Sequence, residues 1–169
     1  RSLNMTEPVY FAIILQKTAS LISSCCAVGA CSTGAPEDVV KKMKLFGEKV
    51  GMAFQIKDDL FDYGEEEIGK PLGIDIKEKK MTLPLIFALS KASWLEKRRI
   101  MGIVKRDKKK HKEIKEVIDF VKKNGGIEYA KEKMKVFHSE ALGLLEDFPD
   151  STYKRSLIDL VQFTIDRKI

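Results

Sequence analysis

The chain has 169 residues, 44% hydrophobic and 33% charged, with a net charge of +6. That length supports one domain with a sizeable core, and that composition excludes a disordered or fibrous chain. Cys25, Cys26 and Cys31 form no CxxC pair and no histidine cluster accompanies them, which fits a reducing cytoplasm better than a disulfide framework.

Pro and Gly fall mostly between apolar-periodic segments, and no run alternates at period two for long enough to argue a sheet. The fold class is therefore read as all-α. Thr6 is the N-cap of a first helix, with Pro8 in its first turn, running to about residues 29–34. Residues 8–36 carry one charge, Lys17, and could pass for a membrane span. Gln16, Lys17 and Thr18 at the centre, followed by Ser20, Ser23 and Ser24, predict instead the central helix of a soluble bundle. A second helix opens near Pro36-Glu37-Asp38 and continues through Asp62. Residues 64–81 hold three glycines and a proline and read as an ordered loop. Shorter helices follow at about 82–91, 93–106 and 111–124, the last stopped by Gly125-Gly126. Amphipathic helices at about 127–147 and 150–167 finish a single helical domain spanning 1–169. The basic run "KRDKKKHK", residues 105–112, reads as a solvated loop or helix end. It lacks the interleaved aromatics of a nucleic-acid face, though a basic surface still attracts anionic substrates or membrane surfaces.

The chemistry is concentrated in "FQIKDDLFDY", residues 54–63. At 100° per residue, Gln55, Asp58, Asp59 and Asp62 share roughly 100° of arc, with Gly51 on the same stripe. Most of the remaining surface is apolar (Val50, Phe54 and Phe61; Ala53, Ile56 and Leu60), so the helix should be buried and its carboxylates enclosed. Enclosed carboxylates need protonation, cationic partners or a metal. Oxygen ligands without His or Cys favour Mg²⁺, which binds through few carboxylates plus substrate phosphates. Asp58 and Asp62, one turn apart, can face one ion; Asp59 is better placed for a bound water. Spacing alone leaves an exposed acidic patch equally open. Lys17 is either a lysine with its stem in the core and its ammonium in water, or a cation facing the same cavity. Lys70 lies in "GKPLG", where Gly69 and Gly73 allow a close approach to a ligand, and Lys80 ends "DIKEKK". Lysines converging on a metal-bound diphosphate would stabilise it as a leaving group.

Taken in order, "KTASL", "VGMAFQIKDDLFDY" and "GKPLGIDIKEKKMTLPLIFAL" resemble the C-terminal half of a trans-type polyprenyl diphosphate synthase, strongly over about residues 8–92. The resemblance implies an isoprenoid-synthase-type helical bundle. It implies that Asp58, Asp59 and Asp62 form the second aspartate-rich motif, binding Mg²⁺ that holds an allylic diphosphate, with Asp58 the foremost ligand. Lys17 and Lys70 would contact that diphosphate and Lys80 assist. Thr18 and Gln55 would turn oxygens toward developing positive charge, and Asp75 of the GxD stretch would stand behind the ligands. The implied reaction condenses isopentenyl diphosphate head-to-tail with geranyl or farnesyl diphosphate, for isoprenoid or quinone side chains. No His or Cys takes part, and His111 and His138 read as structural or surface residues.

The resemblance further implies a homodimer, no nucleic-acid partner, and at most peripheral membrane contact for product release. The "GKPLGIDIKEKKMTLPL" and "FTIDRKI" stretches resemble medium- and long-chain, octaprenyl-like members. The family's first aspartate-rich motif has no counterpart in residues 1–169. The expectation is therefore a C-terminal part of a longer synthase, inactive alone, with half of a two-sided metal site. The alternative is a non-catalytic helical subunit of a heteromeric synthase.

Overall fold

The computed structural model describes residues 5–64 and 72–167, and these residues form helices with no strand. Helix α1 (Glu7–Ile14), a five-residue π-turn (Leu15–Ala19) and α2 (Ser20–Ser32) make one continuous rod. Helix α3 (Glu37–Phe61) carries the aspartate-rich segment. There follow α4 (Ile74–Lys77), α5 (Leu83–Lys91), α6 (Trp94–Lys105), α7 (His111–Lys123), α8 (Gly126–Gly143) and α9 (Thr152–Asp166). The all-α expectation and the order of the long helices are met.

Three departures have local causes. The π-turn interrupts what periodicity reads as one helix. Helix α4 lies inside the expected loop: four residues are too short to show a period, and Ile76 within it is fully buried. Helix α8 stops at Gly143, because Leu145, Glu146 and Phe148 donate their amides three residues back, to Leu142, Gly143 and Leu145.

The chain separates into two compact units, one comprising residues up to 10 and 58–131, the other residues 11–57 and from 132 to the end. In the first, α7 buries Ile114, Val117, Ile118 and Val121, the i, i+3, i+4, i+7 stripe of an amphipathic helix. It packs with α4, α5 and α6, which bury Ile76, Leu83, Leu85, Ile100 and Val104. Asn124 closes α7, and Gly125, at φ +69°, takes the left-handed turn that stops it.

In the second unit the core is Phe46 and Val50 of α3, Ala141 and Leu145 of the α8 segment, and Val161 of α9. Here α2 and the π-turn approach α3 closely. Ser23 donates its hydroxyl to the Lys44 carbonyl at 2.7 Å. A Cβ on Gly47 would lie 2.9 Å from the Ser23 Cα, so that glycine, like Gly51 one turn on, is required by the approach of a neighbouring backbone.

The rod 7–32 is largely exposed among the described residues. Its buried residues are Tyr10, Ile14, Ala19 and Ser23, a single stripe, while Val9, Ile13, Leu21 and Val28 are exposed. It is long and apolar enough to cross a membrane, with a mean hydropathy of 1.6.

Candidate active site

The residues singled out by sequence fall into two hydrogen-bonded groups, one in each unit. In the second unit, the π-turn presents Lys17 and Thr18. A π-turn adds a residue to a helical turn and so re-aims the side chains it carries, which is why such turns recur at functional sites. Thr18 donates its hydroxyl to Gln55 Oε1 at 2.8 Å. The contact is possible because the adjacent Ala19 is fully buried and lies against Gly51, one helical turn before Gln55. Lys17 is exposed, with its stem leaving a largely apolar rod.

In the first unit, the aspartates divide. Asp58 is half-buried near the end of α3. Asp59 is buried, and Tyr10 of α1 donates its phenol O–H to Asp59 Oδ2 at 2.7 Å. Burial first, then the negative charge of Asp59, raises the Tyr10 phenol far above its ordinary value, so it stays protonated and donating. Asp62 lies one residue past the last helical turn. Its Oδ1 accepts the Asp75 amide at 3.1 Å and its Oδ2 the Ile76 amide at 3.4 Å. Burial pushes the Asp62 carboxyl up to about 6, outweighing those amides.

Gly73 makes this arrangement possible. It stands at φ +75° against the Ile114 side chain, where a Cβ has no room, and its own amide donates to the Asp62 carbonyl at 3.2 Å. The turn it makes aims the first amides of α4 back at the Asp62 carboxylate.

Asp62 thus accepts two backbone amides from the start of α4. Among the described residues, no three His, Cys, Asp or Glu side chains form a group that could hold a metal. Lys80 is occupied too, donating to Asp75 Oδ1 at 2.8 Å and pairing with Glu78 at 2.9 Å, and these hydrogen bonds raise its ammonium above the ordinary lysine value. Lys70, with Gly69, lies outside the described residues. His111 is exposed and His138 buried.

Sequence reading missed Tyr10, Tyr63 and Thr82. The Tyr63 and Thr82 hydroxyls share a buried hydrogen bond of 2.6 Å, tying the end of α3 to the start of α5. The usable signal was physical: a tyrosine within an apolar segment finds a polar partner when buried.

What this arrangement offers chemically is an oxygen-only acidic end to α3. Asp58 is half-buried there, Asp59 accepts from Tyr10, and Asp62 accepts from the Asp75 and Ile76 amides.

Comparison with known proteins bears on that arrangement. The sequence profile of the polyprenyl synthetase family matches residues 1–121. The chain is 34% identical to a geranylgeranyl diphosphate synthase of Saccharolobus solfataricus over 98% of its own length and 51% of the relative's. Its fold superposes with a TM-score of 0.90 on a geranylgeranyl pyrophosphate synthase from Bacteroides thetaiotaomicron, 37% identical over 98% of this chain and 55% of that one. A geranylgeranyl pyrophosphate synthase of Corynebacterium glutamicum, solved with calcium and isoprenyl diphosphate, gives 0.84 at 30% identity, covering 95% of this chain and 50% of that one. The chain spans about half the length of the curated relatives it matches.

Proposed function

The chain belongs to the polyprenyl synthetase family, and from that premise we propose that it forms the aspartate-rich side of a Mg²⁺-dependent prenyltransferase. The whole protein would condense isopentenyl diphosphate with an allylic diphosphate. The observation that carries this reading is the end of α3. Asp58 remains half-buried there, while Asp59 and Asp62 are held by Tyr10 and by the amides of Asp75 and Ile76.

Carboxylates on an acidic, oxygen-only helix end suit Mg²⁺, which keeps waters and takes substrate phosphate oxygens in preference to an all-protein cage. The relative solved with calcium and isoprenyl diphosphate supports a divalent cation in that role. When bound, the ion would draw negative charge from the departing diphosphate. Asp58 would hold it, with Asp59 and Asp62 keeping the end of α3 in place. Lys17 and Lys70 would bind diphosphate oxygens. Thr18 uses its hydroxyl proton on Gln55, so its oxygen lone pairs are the group it turns outward. The apolar residues around α3 would exclude water from a cationic transition state.

The exposed apolar side of the 7–32 rod is where the remaining half of such a bundle would pack, and this chain alone would be inactive. A cytoplasmic location rests on the three free cysteines, and a homodimer on the family resemblance.

The test is prenyl transfer by the whole protein with labelled isopentenyl diphosphate, farnesyl diphosphate and Mg²⁺, products being resolved by chain length. Elongated, Mg²⁺-dependent product is expected. Asp58→Ala should lower turnover by about 10²-fold or more with an unchanged melting temperature. Near-normal turnover in that variant would refute the assignment of Asp58. A folded, complete protein that makes no product would favour a non-catalytic subunit.

A further inference from the structure

The net positive charge of this chain comes from one pair of helices. Residues 91–123 hold thirteen Lys and Arg against five Asp and Glu, a net of +8, so the rest of a chain of net +6 is slightly acidic. That segment comprises α6 and α7, which pack together within the first unit. It carries none of the aspartates or lysines placed in the candidate site.

The start of α6 carries a second, independent feature. Trp94 and Leu95 are its first two residues and are 67% and 71% exposed. Such residues at a frayed helix end would be unremarked, but this end is fixed. Ser93 accepts the Glu96 amide, and Glu96 reaches back to the Ser93 amide at 3.2 Å, a complete capping box. The inward side of α6 is Ile100, Ile103 and Val104. At 100° per residue, Trp94, Leu95, Arg98, Gly102 and Lys105 fall on the opposite side. The Arg98 guanidinium lies 5.3 Å from the Trp94 ring centre, and among the described residues it forms no salt bridge. Its neighbours Arg99 and Arg106 are already paired with Glu116 and Glu113. Next to Leu95 and Arg98 runs an open groove of about 630 Å³ bordered by Gly102 and by the pairs Arg99–Glu116 and Arg106–Glu113.

Two large apolar side chains, exposed at a capped helix start with Arg98 and Lys105 on the same side of the helix, match the interface of an anionic bilayer. Tryptophan ring systems sit at headgroup depth, with leucine just below and lysine and arginine on the phosphates. A single tryptophan without other interleaved aromatics does not form the stacking platform of a nucleic-acid site. We propose that α6 is a membrane-docking element, seating Trp94 and Leu95 in an anionic phospholipid surface. Arg98 and Lys105, together with the basic residues 106–112, would lie on the headgroup phosphates. This inference does not depend on the proposed prenyl transfer.

Trp94 reports on the contact directly, because it is the one tryptophan of these 169 residues. The experiment follows Trp94 emission and co-sedimentation with vesicles of phosphatidylcholine, pure or with about 30 mol% phosphatidylglycerol. Expected is a shift of emission to shorter wavelength and binding with the anionic vesicles only, lost as salt rises from about 0.1 to about 0.5 M. The double variant Trp94→Ala/Leu95→Ala should sediment about tenfold more weakly, and Arg98→Glu/Lys105→Glu should lose the preference for anionic lipid. Circular dichroism checks that both keep the helical content of the wild type. Equal binding to both vesicles would overturn the proposal. So would binding with Trp94 emission unmoved, since the apolar rod 7–32 would then be the attachment. No binding to vesicles, or binding of an oligonucleotide in their place, would overturn it as well.

Discussion

Replacing Gly51 by alanine adds one methyl group at the closest backbone approach in the second unit. The new Cβ would stand 2.5 Å from Ala19 Cα and 2.9 Å from Ala19 Cβ. Ordinary contact begins at 3.4 Å, so the nearer pair is about 0.9 Å too close. Ala19 has no rotamer with which to yield, and its Cα belongs to the π-turn, so the helices themselves must part. Overpacking of this kind costs about 1–3 kcal/mol, against which alanine regains up to about 1 kcal/mol of helix propensity. The net expectation is a loss of about 1–2 kcal/mol, or a melting temperature about 3–6 °C lower for a chain of this size.

Gly102 supplies the control. It lies inside α6 with nothing within 4 Å of an added Cβ, so Gly102→Ala should raise the melting temperature by about 2–4 °C. Thermal melts followed by circular dichroism measure both. A Gly51→Ala protein that melts as high as Gly102→Ala would refute the close-approach argument. The same change should also stretch the 2.8 Å bond between Thr18 and Gln55, and so reduce turnover of the whole protein.

Other perturbations test the braces behind the aspartates. Tyr10→Phe keeps the ring and removes the donor to buried Asp59, so it should cost about 1.5–3 kcal/mol in urea titration. Adding Asp59→Asn should recover part of that loss, and strictly additive costs would argue against the pair. For Asp62 the sign runs opposite to that of a salt-bridged carboxylate. Its folded value, about 6, lies above the ordinary 3.8, so its contribution is fully present below pH 4 and lost as pH rises through 6. In chelator, wild-type stability relative to Asp62→Asn should therefore fall between about pH 4 and pH 7, by about 3 kcal/mol at most and less where solvent screens the group. A pH-independent difference would contradict the burial argument. Ser93→Ala breaks the capping box of α6 and should lower stability by about 1 kcal/mol, read as a melt about 2–4 °C lower.

Sequence alone determined what is set by neighbours along the chain. Helix identity follows from periodicity. The stop of α7 follows from Gly125. The acidic stripe on α3 follows from a fixed angle per residue, and its composition already points to a hard cation and a phosphorylated ligand. Tertiary structure alone decided which way each carboxylate is used. Asp59 meets a tyrosine 49 positions earlier, and Asp62 meets amides 13 and 14 positions later, through a turn that only Gly73 can make. The π-turn under Lys17 and Thr18 was equally hidden, because one inserted residue barely disturbs an apolar pattern. A helical wheel gives the direction of a side chain from its own axis. The partner waiting there depends on packing between segments distant in sequence, and burial then makes that partner obligatory.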